Sequence, residues 1–315
     1  MASKIERLSK LNQLIASFKQ KVQQNNIQLP RNVKIVELGP RDGLQNEKTI
    51  VSPNDKIDFI NRLNDCGFQS IEVTSFVSPK WVPQMADNKE VYSKIKKLQN
   101  VNYPVLVPNL KGLEQALEVG VKEIAVFSAA SEGFTKKNIN CTIEESLQKF
   151  QEIFTFCKDK NIKIRGYVST VMGCPYDGDV NPEKVKFVSD KLFEMGCYEV
   201  SLGDTIGVGT PEKTQKLFNV FPHRENLAAH FHDTYDKAIP NLLVALENGI
   251  SVIDSSVGGL GGCPYAKTSA GNVCTENVVY TLHELGIETG IDLKKLAQVG
   301  EQITKKLGRE NMSVV

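Results

Sequence analysis

Two histidines stand two residues apart at the end of an apolar run, where they could bind a metal ion together. His230 and His232 make up half of the four histidines in the chain. If the run 226–231 is a strand, both imidazoles point to the same side, because alternate residues of a strand share a face. A lone buried histidine is more often a core residue. Two on one strand face indicate instead a site for a divalent metal.

An arginine and an aspartate directly follow another apolar run. The run 33–38 stops at Gly39 and Pro40, and Arg41 and Asp42 come next. A cation beside a short carboxylate on the loop after a strand is typical of the polar chemistry of α/β enzymes. Local sequence alone favours a solvated ion pair on a turn, so the functional interpretation depends on where this loop lies in the fold.

The chain repeats one unit, a short apolar run followed by a longer amphipathic segment. The apolar runs, which predict strands, are 33–38, 69–73, 102–107, 122–127, 162–168, 197–201, 226–231 and 250–255. The amphipathic segments, which predict helices, lie near 53–65, 87–98, 111–119, 142–160, 182–195, 211–219, 238–248 and 273–286. Eight βα units over about 250 residues are typical of a (β/α)8 TIM barrel. An open doubly wound sheet is the alternative, but the first turn lacks the GxGxxG pattern that would favour it.

We therefore expect a single catalytic α/β barrel over residues 31–315, with extra helices at its N-terminal and C-terminal ends.

The formal net charge of +1 and the absence of a basic patch with interleaved aromatics argue against nucleic acid or an anionic membrane as a partner. The seven cysteines form no CxxC pair, which is typical of reduced thiols in a non-secretory compartment. No apolar run approaches the roughly 20 residues of a membrane span.

Residues 1–30 predict a basic amphipathic helix. The charged positions up to residue 21 are one acid, Glu6, and the cations Lys4, Arg7, Lys10, Lys19 and Lys21. Apolar residues recur at helical spacing at Leu8, Leu11, Leu14, Ile15 and Phe18. This composition is typical of a transit peptide and predicts the mitochondrial matrix. The alternative is a surface helix that covers the bottom of the barrel, in a cytoplasmic protein.

In a TIM barrel the active groups lie on the loops after the strands. This rule brings together Arg41, Asp42 and Gln45, then Glu72, Ser75, the stretches 131–140 and 201–207, the stretch 230–234 and the glycine-rich stretch 258–265. Asp42 and Asn272 could add oxygen ligands to the two imidazoles. Two nitrogens and two oxygens suit six-coordinate Mg²⁺ or Mn²⁺, although the ligand types also allow zinc.

Two further residues near this end of the barrel are candidates for functional roles. Glu276 lies one helical turn beyond Asn272 and is predicted to steady its amide from behind, with an exposed helix carboxylate as the alternative. Cys263 stands between two glycines and Pro264, in a backbone that can approach a ligand closely. A thiol near a divalent cation could act as an acid or a base. The alternative is a small apolar residue in a tight loop.

Several long motifs, taken together and in order, closely resemble the 3-hydroxy-3-methylglutaryl-CoA lyases, which are metal-dependent lyase barrels. The motifs are residues 36–47, 74–85, 134–140 and 201–211, the HxHD sequence that begins at His230, and the GGCPYA sequence at 261–266. The resemblance runs from about residue 30 to about residue 300. A related metal-dependent aldolase or acyl-CoA-condensing synthase would share the Arg-Asp and HxH motifs but would lack GGCPYA.

The resemblance implies cleavage of 3-hydroxy-3-methylglutaryl-CoA to acetyl-CoA and acetoacetate, as in leucine degradation and ketone body formation, by a metal-dependent homodimer. It places the metal ligands at Asp42, His230, His232 and Asn272. Arg41 matches the substrate-binding arginine and Cys263 the catalytic cysteine of the family. Glu72 and Asp204 match acidic positions near the site. Asp42 or a histidine is an equally good candidate for the first general base.

The resemblance also predicts contacts with the coenzyme, and the chain departs from the family pattern at three positions. Gln45, Lys48 and Asn138 are expected to bind the acyl-CoA substrate, with solvated surface side chains as the alternative. The chain has Thr268 and Ser269 where the family usually has a glycine and an alanine, and Asp236 where it has a glycine. These changes lie beside the site but replace no predicted ligand, so they bear on rate rather than on the class of reaction.

Overall fold

The computed structural model describes residues 3–262 and 271–315, and its centre is a parallel sheet. The strands are β1 (Lys34–Glu37), β2 (Ser70–Ile71), β3 (Thr74–Ser75), β4 (Val105–Leu106), β5 (Glu123–Ala129), β6 (Lys163–Ser169), β7 (Glu199–Asp204), β8 (Leu227–Phe231) and β9 (Val252–Ser255). They lie in the order β2-β1-β9-β8-β7-β6-β5-β4-β3. All of the paired strands are parallel, as βα repeats require.

The sheet closes through β2 and β3, which are separated only by Glu72 and Val73; the predicted strand 69–73 contains β2 but ends before β3. β2 pairs with β1 on one side and β3 pairs with β4 on the other. Between them, the Glu72 N–H donates to the Glu37 carbonyl at 2.9 Å and the Val73 N–H donates to the Pro104 carbonyl at 3.1 Å. The result is an eight-stranded barrel, so the TIM-barrel prediction is confirmed and the open sheet is wrong.

The helices surround the barrel, and eight of those described begin within two residues of a predicted start. They are α1 (Lys4–Gln24), α2 (Pro53–Asn64), α3 (Asn88–Lys94), α4 (Leu110–Glu118), α5 (Glu132–Ile139), α6 (Ile143–Lys158), α7 (Pro182–Met195), α8 (Pro211–Asn219), α9 (Ala238–Glu247), α10 (Thr275–Glu284) and α11 (Leu293–Leu307). Ser52, Asn181 and Thr210 each cap a helix whose first residue is proline. α5 lies inside the stretch 131–140, which the sequence analysis treated only as a polar loop.

The N-terminal helix α1 packs on the barrel through its apolar face. Leu11, Ile15 and Phe18 are buried, whereas Ile5 is 80% exposed. Ser3 and Glu6 form a capping box at its start. The predicted amphipathic helix is therefore present, and its apolar face is covered by the rest of the chain. Among the residues described, no helix is long and apolar enough to cross a membrane.

We expect the substitution Phe18→Ala to lower the free energy of unfolding by about 3 kcal/mol, because it removes a buried aromatic side chain and leaves a cavity. Urea denaturation followed by circular dichroism measures this change. Ile5→Ala, on the exposed face of the same helix, is the matched control and should leave the midpoint unchanged. Equal midpoints for Phe18→Ala and the parent would contradict the packing of α1.

Candidate active site

His230, His232 and Asp42 meet at the carboxyl end of the barrel. His230 is the fourth residue of β8, His232 follows that strand, and Asp42 lies in a single π-helical turn after β1, Gly39–Gly43. One potential ligand atom from each residue lies within 4.8 Å of the others. The two Nε2 atoms of the histidines are 3.4 Å apart. The prediction that both imidazoles share one side of the strand is confirmed.

Asn272 joins this group and brings an oxygen that lacks a partner. Its side-chain Nδ2 donates to Asp42 Oδ2 at 2.8 Å, and its backbone forms an isolated bridge with His232. Its Oδ1 atom is buried and accepts no hydrogen bond within the described part of the chain. A buried unpaired oxygen is costly unless a ligand satisfies it. Two imidazoles, a carboxylate and this amide oxygen therefore fit a divalent cation, so the residues present suit the predicted metal.

The protonation states of the group suit metal binding. Burial alone would raise the pKa of Asp42, but the charge of Arg41, with smaller contributions from His230 and His232, lowers it to about 2. Burial, reinforced by His230, lowers the pKa of His232 to about 4 despite the nearby Asp42. At neutral pH the carboxyl is therefore ionised and the imidazole neutral, the forms that bind metal.

Arg41 is buried and held on two sides. Its Nη1 donates to Asp42 Oδ1 at 2.6 Å and its Nη2 donates to Glu72 Oε2 at 3.0 Å. The guanidinium carbon lies 5.5 Å from the centre of the Tyr167 ring, whose hydroxyl also donates to Glu72, at 2.7 Å. Burial lowers the pKa of Arg41, but Glu72 and Asp42 outweigh it and raise the value. The arginine is thus a permanent cation in a fixed orientation next to Asp42, His230, His232 and Asn272, which we call the metal group.

Beneath these residues lies a buried polar network that the sequence analysis missed. Arg165 Nη2 donates to Asp254 Oδ1 at 2.7 Å and its Nη1 donates to Asp254 Oδ2 at 3.0 Å and to the Tyr167 hydroxyl at 2.8 Å. Asp254 Oδ2 also accepts from Ser201 Oγ at 2.8 Å. The available signal was the presence of charged residues inside the apolar runs 162–168 and 250–255, which is unusual for a buried strand.

Asp254 orients one of the two histidines. It is in register with His230 across β8 and β9, and its Oδ2 lies 3.2 Å from His230 Nδ1. Burial would raise the pKa of Asp254, but Arg165 and the hydrogen bond to His230 hold it well below its usual range. We therefore assign the proton of His230 to Nδ1, which leaves the Nε2 lone pair facing His232 and a shared ligand.

Two of the predicted acidic residues accept hydrogen bonds from the backbone of loops. Asp204 accepts from the backbone N–H groups of Val208 at 3.2 Å and Gly209 at 2.7 Å, and burial raises its pKa to about 6. Glu276 is fully buried, but it does not contact the Asn272 amide as predicted. Its carboxylate accepts from the Gly258 N–H at 2.9 Å and from the Cys274 thiol at 3.0 Å, because the first turn of α10 points it towards the glycine-rich loop.

The predicted substrate-binding residues lie around this site rather than within it. Gln45 is half-buried, and its Oε1 accepts no hydrogen bond from the described residues. Lys48 and Asn138 are exposed, the first in the loop after β1 and the second near the end of α5. Cys263, Thr268 and Ser269 lie outside the described residues. Asp236 adopts a left-handed backbone (φ 55°), a conformation that glycine favours and aspartate tolerates.

Comparison with known proteins shows which family the chain resembles. A family model described as HMGL-like matches residues 32–303. The chain is 56% identical over 290 residues to the mitochondrial hydroxymethylglutaryl-CoA lyase of Pongo abelii, a match that covers 91% of this chain and 89% of that protein. It is 54% identical over 290 residues to a cytoplasmic 3-hydroxy-3-methylglutaryl-CoA lyase of Rattus norvegicus, covering 91% of this chain and 84% of that one.

Solved structures share the fold closely. The hydroxymethylglutaryl-CoA lyase of Pseudomonas aeruginosa superposes with a TM-score of 0.88 at 53% identity, covering 90% of this chain and 96% of that chain. An HMG-CoA lyase from Acinetobacter baumannii, solved in complex with coenzyme A and 3-methylmalate, superposes with a TM-score of 0.85 at 36% identity, covering 90% and 93%. Because the family model spans most of the sequence and both curated relatives are more than half identical to it, the chain belongs to the HMGL-like family.

Proposed function

We propose that this chain cleaves 3-hydroxy-3-methylglutaryl-CoA to acetyl-CoA and acetoacetate. The observation that carries the proposal is the meeting of Asp42, His230 and His232. Asn272 and Arg41 bind the two oxygens of Asp42, and the Asn272 Oδ1 has no partner among the described residues. This arrangement suits a reaction in which a hydroxyl loses its proton while charge moves to a neighbouring carbonyl. The names of the relatives and the coenzyme A complex of one of them support the same substrate class.

The cofactor we propose is Mg²⁺ or Mn²⁺, held by Asp42, His230, His232 and Asn272. A bound divalent cation makes a hydroxyl proton more acidic and holds hydroxyl and carboxylate oxygens together. We propose Asp42 as the acceptor of this proton, because its carboxylate is ionised at neutral pH, whereas His230 carries its proton on Nδ1 and offers Nε2 to the metal. Glu72 is already shared by Arg41 and Tyr167, and Asp204 is held by two backbone amides, so their contacts support positioning roles.

Arg41 has the role of stabilising charge on the thioester. When the bond between C2 and C3 breaks, the acetyl-CoA fragment leaves as an enolate whose negative charge collects on the thioester oxygen. A permanently charged, planar donor fixed by Glu72 and Asp42 lowers the energy of that charge without reorganising. Cys263 is the proposed acid that returns a proton to the carbon of the enolate.

We further propose that Gln45, Lys48 and Asn138 contact the coenzyme A part of the substrate. Lys48 is an exposed cation on the loop that also carries Arg41, and this charge supports a contact with the phosphates of coenzyme A. We also propose a homodimer in the mitochondrial matrix. The similar proteins include mitochondrial and cytoplasmic lyases, and cell fractionation distinguishes the two locations.

With 3-hydroxy-3-methylglutaryl-CoA and Mg²⁺, mass spectrometry should detect acetyl-CoA and acetoacetate in equal amounts. Treatment with a chelator should abolish turnover, and added Mg²⁺ or Mn²⁺ should restore it. His232→Ala removes one of about four protein ligands, so calorimetry should show a sharp loss of metal affinity while circular dichroism stays native. Turnover that survives the chelator, or unaltered affinity in the variant, would refute the metal assignment.

The substitution Asp254→Asn tests whether this residue orients His230. An amide can donate to Nδ1 and favour the other tautomer, so we expect Mg²⁺ affinity to fall by about 10–100-fold. Isothermal titration calorimetry measures the affinity directly. Ser201→Ala is the matched control, because it removes another hydrogen bond to Asp254 without touching the imidazole. Equal loss of affinity in both variants would indicate general damage to the network.

Replacing Arg41 with glutamine should lower kcat by about 10²–10³-fold, the loss expected for one oxyanion donor. The variant should also lose stability, because the buried Glu72 is left without its cation. The double variant Arg41→Gln/Glu72→Gln removes that charge and should regain stability but not kcat. Arg41→Lys keeps the charge without the planar fork and should rescue little. A lysine variant with near-parental kcat would remove Arg41 from the catalytic residues.

A further inference from the structure

The glycine-rich segment 258–262 leads into Cys263, and the C-terminal tail that follows α11 contacts this segment repeatedly. Arg309 Nη2 donates to the Gly259 carbonyl at 3.1 Å, and its Nη1 donates to the Gly261 carbonyl at 3.2 Å. The Met312 N–H donates to the Gly258 carbonyl at 3.1 Å. Three successive contacts therefore tie the described part of this loop to residues about 50 positions further along the chain.

The same guanidinium also reaches the loop after β1. Arg309 Nη1 donates to the carboxylate of Glu47, and the two side chains are 20% and 15% exposed. Beside this pair, Asn46 Nδ2 donates to the Gly262 carbonyl at 3.1 Å. Because Glu47 lies on the loop that carries Arg41 and Asp42, one arginine connects the two loops that flank the proposed reaction centre.

The connection continues to the metal group through close backbone packing. A Cβ atom placed on Gly271 would lie 2.5 Å from the Gly261 carbonyl carbon, so the two backbones touch. Asn272 follows directly, and its Nδ2 lies near the Leu260 carbonyl at 3.5 Å as well as bonding to Asp42. A shift of Gly261 would therefore displace Asn272, whose backbone pairs with His232 and whose side-chain amide donates to Asp42.

We propose that Arg309 is a positioning residue for the reaction, which fixes the glycine-rich loop relative to the loop of Arg41 and Asp42. Its contacts require a planar fork, because two carbonyls and a carboxylate are bound by the two terminal nitrogens of one guanidinium. No described contact joins Arg309 to the metal group itself, so it acts through the position of the loop. The expected change in kcat rests on the proposed function, whereas the expected change in the position of the glycine-rich loop does not.

The test compares the parent with Arg309→Ala, Arg309→Lys and Glu47→Gln. We expect kcat of Arg309→Ala to fall by about tenfold or more with KM nearly unchanged, because a small misplacement of reacting groups costs rate rather than binding. Lysine can pair with Glu47 but cannot bridge both carbonyls, so it should rescue only a small part. Glu47→Gln should cause a smaller fall in kcat, again with KM nearly unchanged. This variant provides the test if Arg309→Ala fails to fold.

A second readout does not depend on catalysis. Peptide mapping after brief iodoacetamide treatment measures the alkylation rate of Cys263 separately from those of the six described cysteines, which are all buried. We expect its alkylation rate to rise several-fold in Arg309→Ala. A chain that is not a lyase would show this change without turnover, which separates failure of the inference from failure of the proposed function.

Glu310→Gln is the matched control, because Glu310 is the next residue of the tail but pairs with Arg7 of α1 at 3.2 Å. It should leave kcat and the alkylation rate at parental values. The inference is overturned if Arg309→Ala keeps parental kcat and alkylation rate, if lysine restores both fully, or if Glu310→Gln causes the same losses as Arg309→Ala.

Discussion

The ion pair of Arg165 and Asp254 is the interaction on which the rest of the site depends. Both residues are about 1% exposed, inside a barrel whose interior is usually filled by apolar side chains. An isolated charge there would be very unfavourable, and two parallel hydrogen bonds between guanidinium and carboxylate compensate for it. Glu199 accepts from the Nε of Arg165 at 2.7 Å, and its own negative charge is balanced by Lys34, whose Nζ lies 2.6 Å from Glu199 Oε2.

From this pair, two chains of hydrogen bonds lead up to the two halves of the site. Asp254 holds His230 and so sets which ring nitrogen faces the metal group. Tyr167 receives a hydrogen bond from Arg165 and donates one to Glu72, which binds Arg41. The proposed metal ligands and the proposed charge-stabilising arginine are thereby held by one rigid framework of strand residues. Such rigidity is what preorganised electrostatic catalysis requires.

The parts of the site that were predictable from sequence are those with local rules. A period of two placed His230 and His232 on one side, and the stop at Gly39 and Pro40 placed Arg41 and Asp42 beyond a strand. The Arg165–Asp254 pair was missed because its members are 89 positions apart and meet only when the barrel closes. Glu276 was assigned the wrong contact because helical spacing gives the turn on which a side chain lies, not the group that it meets.

Some boundaries were also set by contacts that no local pattern reveals. The predicted second strand, 69–73, contains β2 but not β3, because its apolar run ends at Val73 whereas pairing with β4 involves Thr74 and Ser75. α5 was missed because its eight residues are too few to show a strong apolar period, although Ser131 caps it. Asp236 adopts a left-handed backbone that glycine would adopt without strain, so the predicted departure from glycine is accommodated locally.

The contact between Gly261 and Gly271 has a consequence for how this fold can diversify. Gly261 and Gly271 already meet at the barrel mouth, so closing the barrel does not require a fixed length of chain between them. Changing the length of a stretch with joined ends costs little in closure entropy. Thr268 and Ser269 fall within this stretch, and so does Cys263, the proposed acid. The constraint on its sequence therefore comes from the proposed chemistry rather than from the fold.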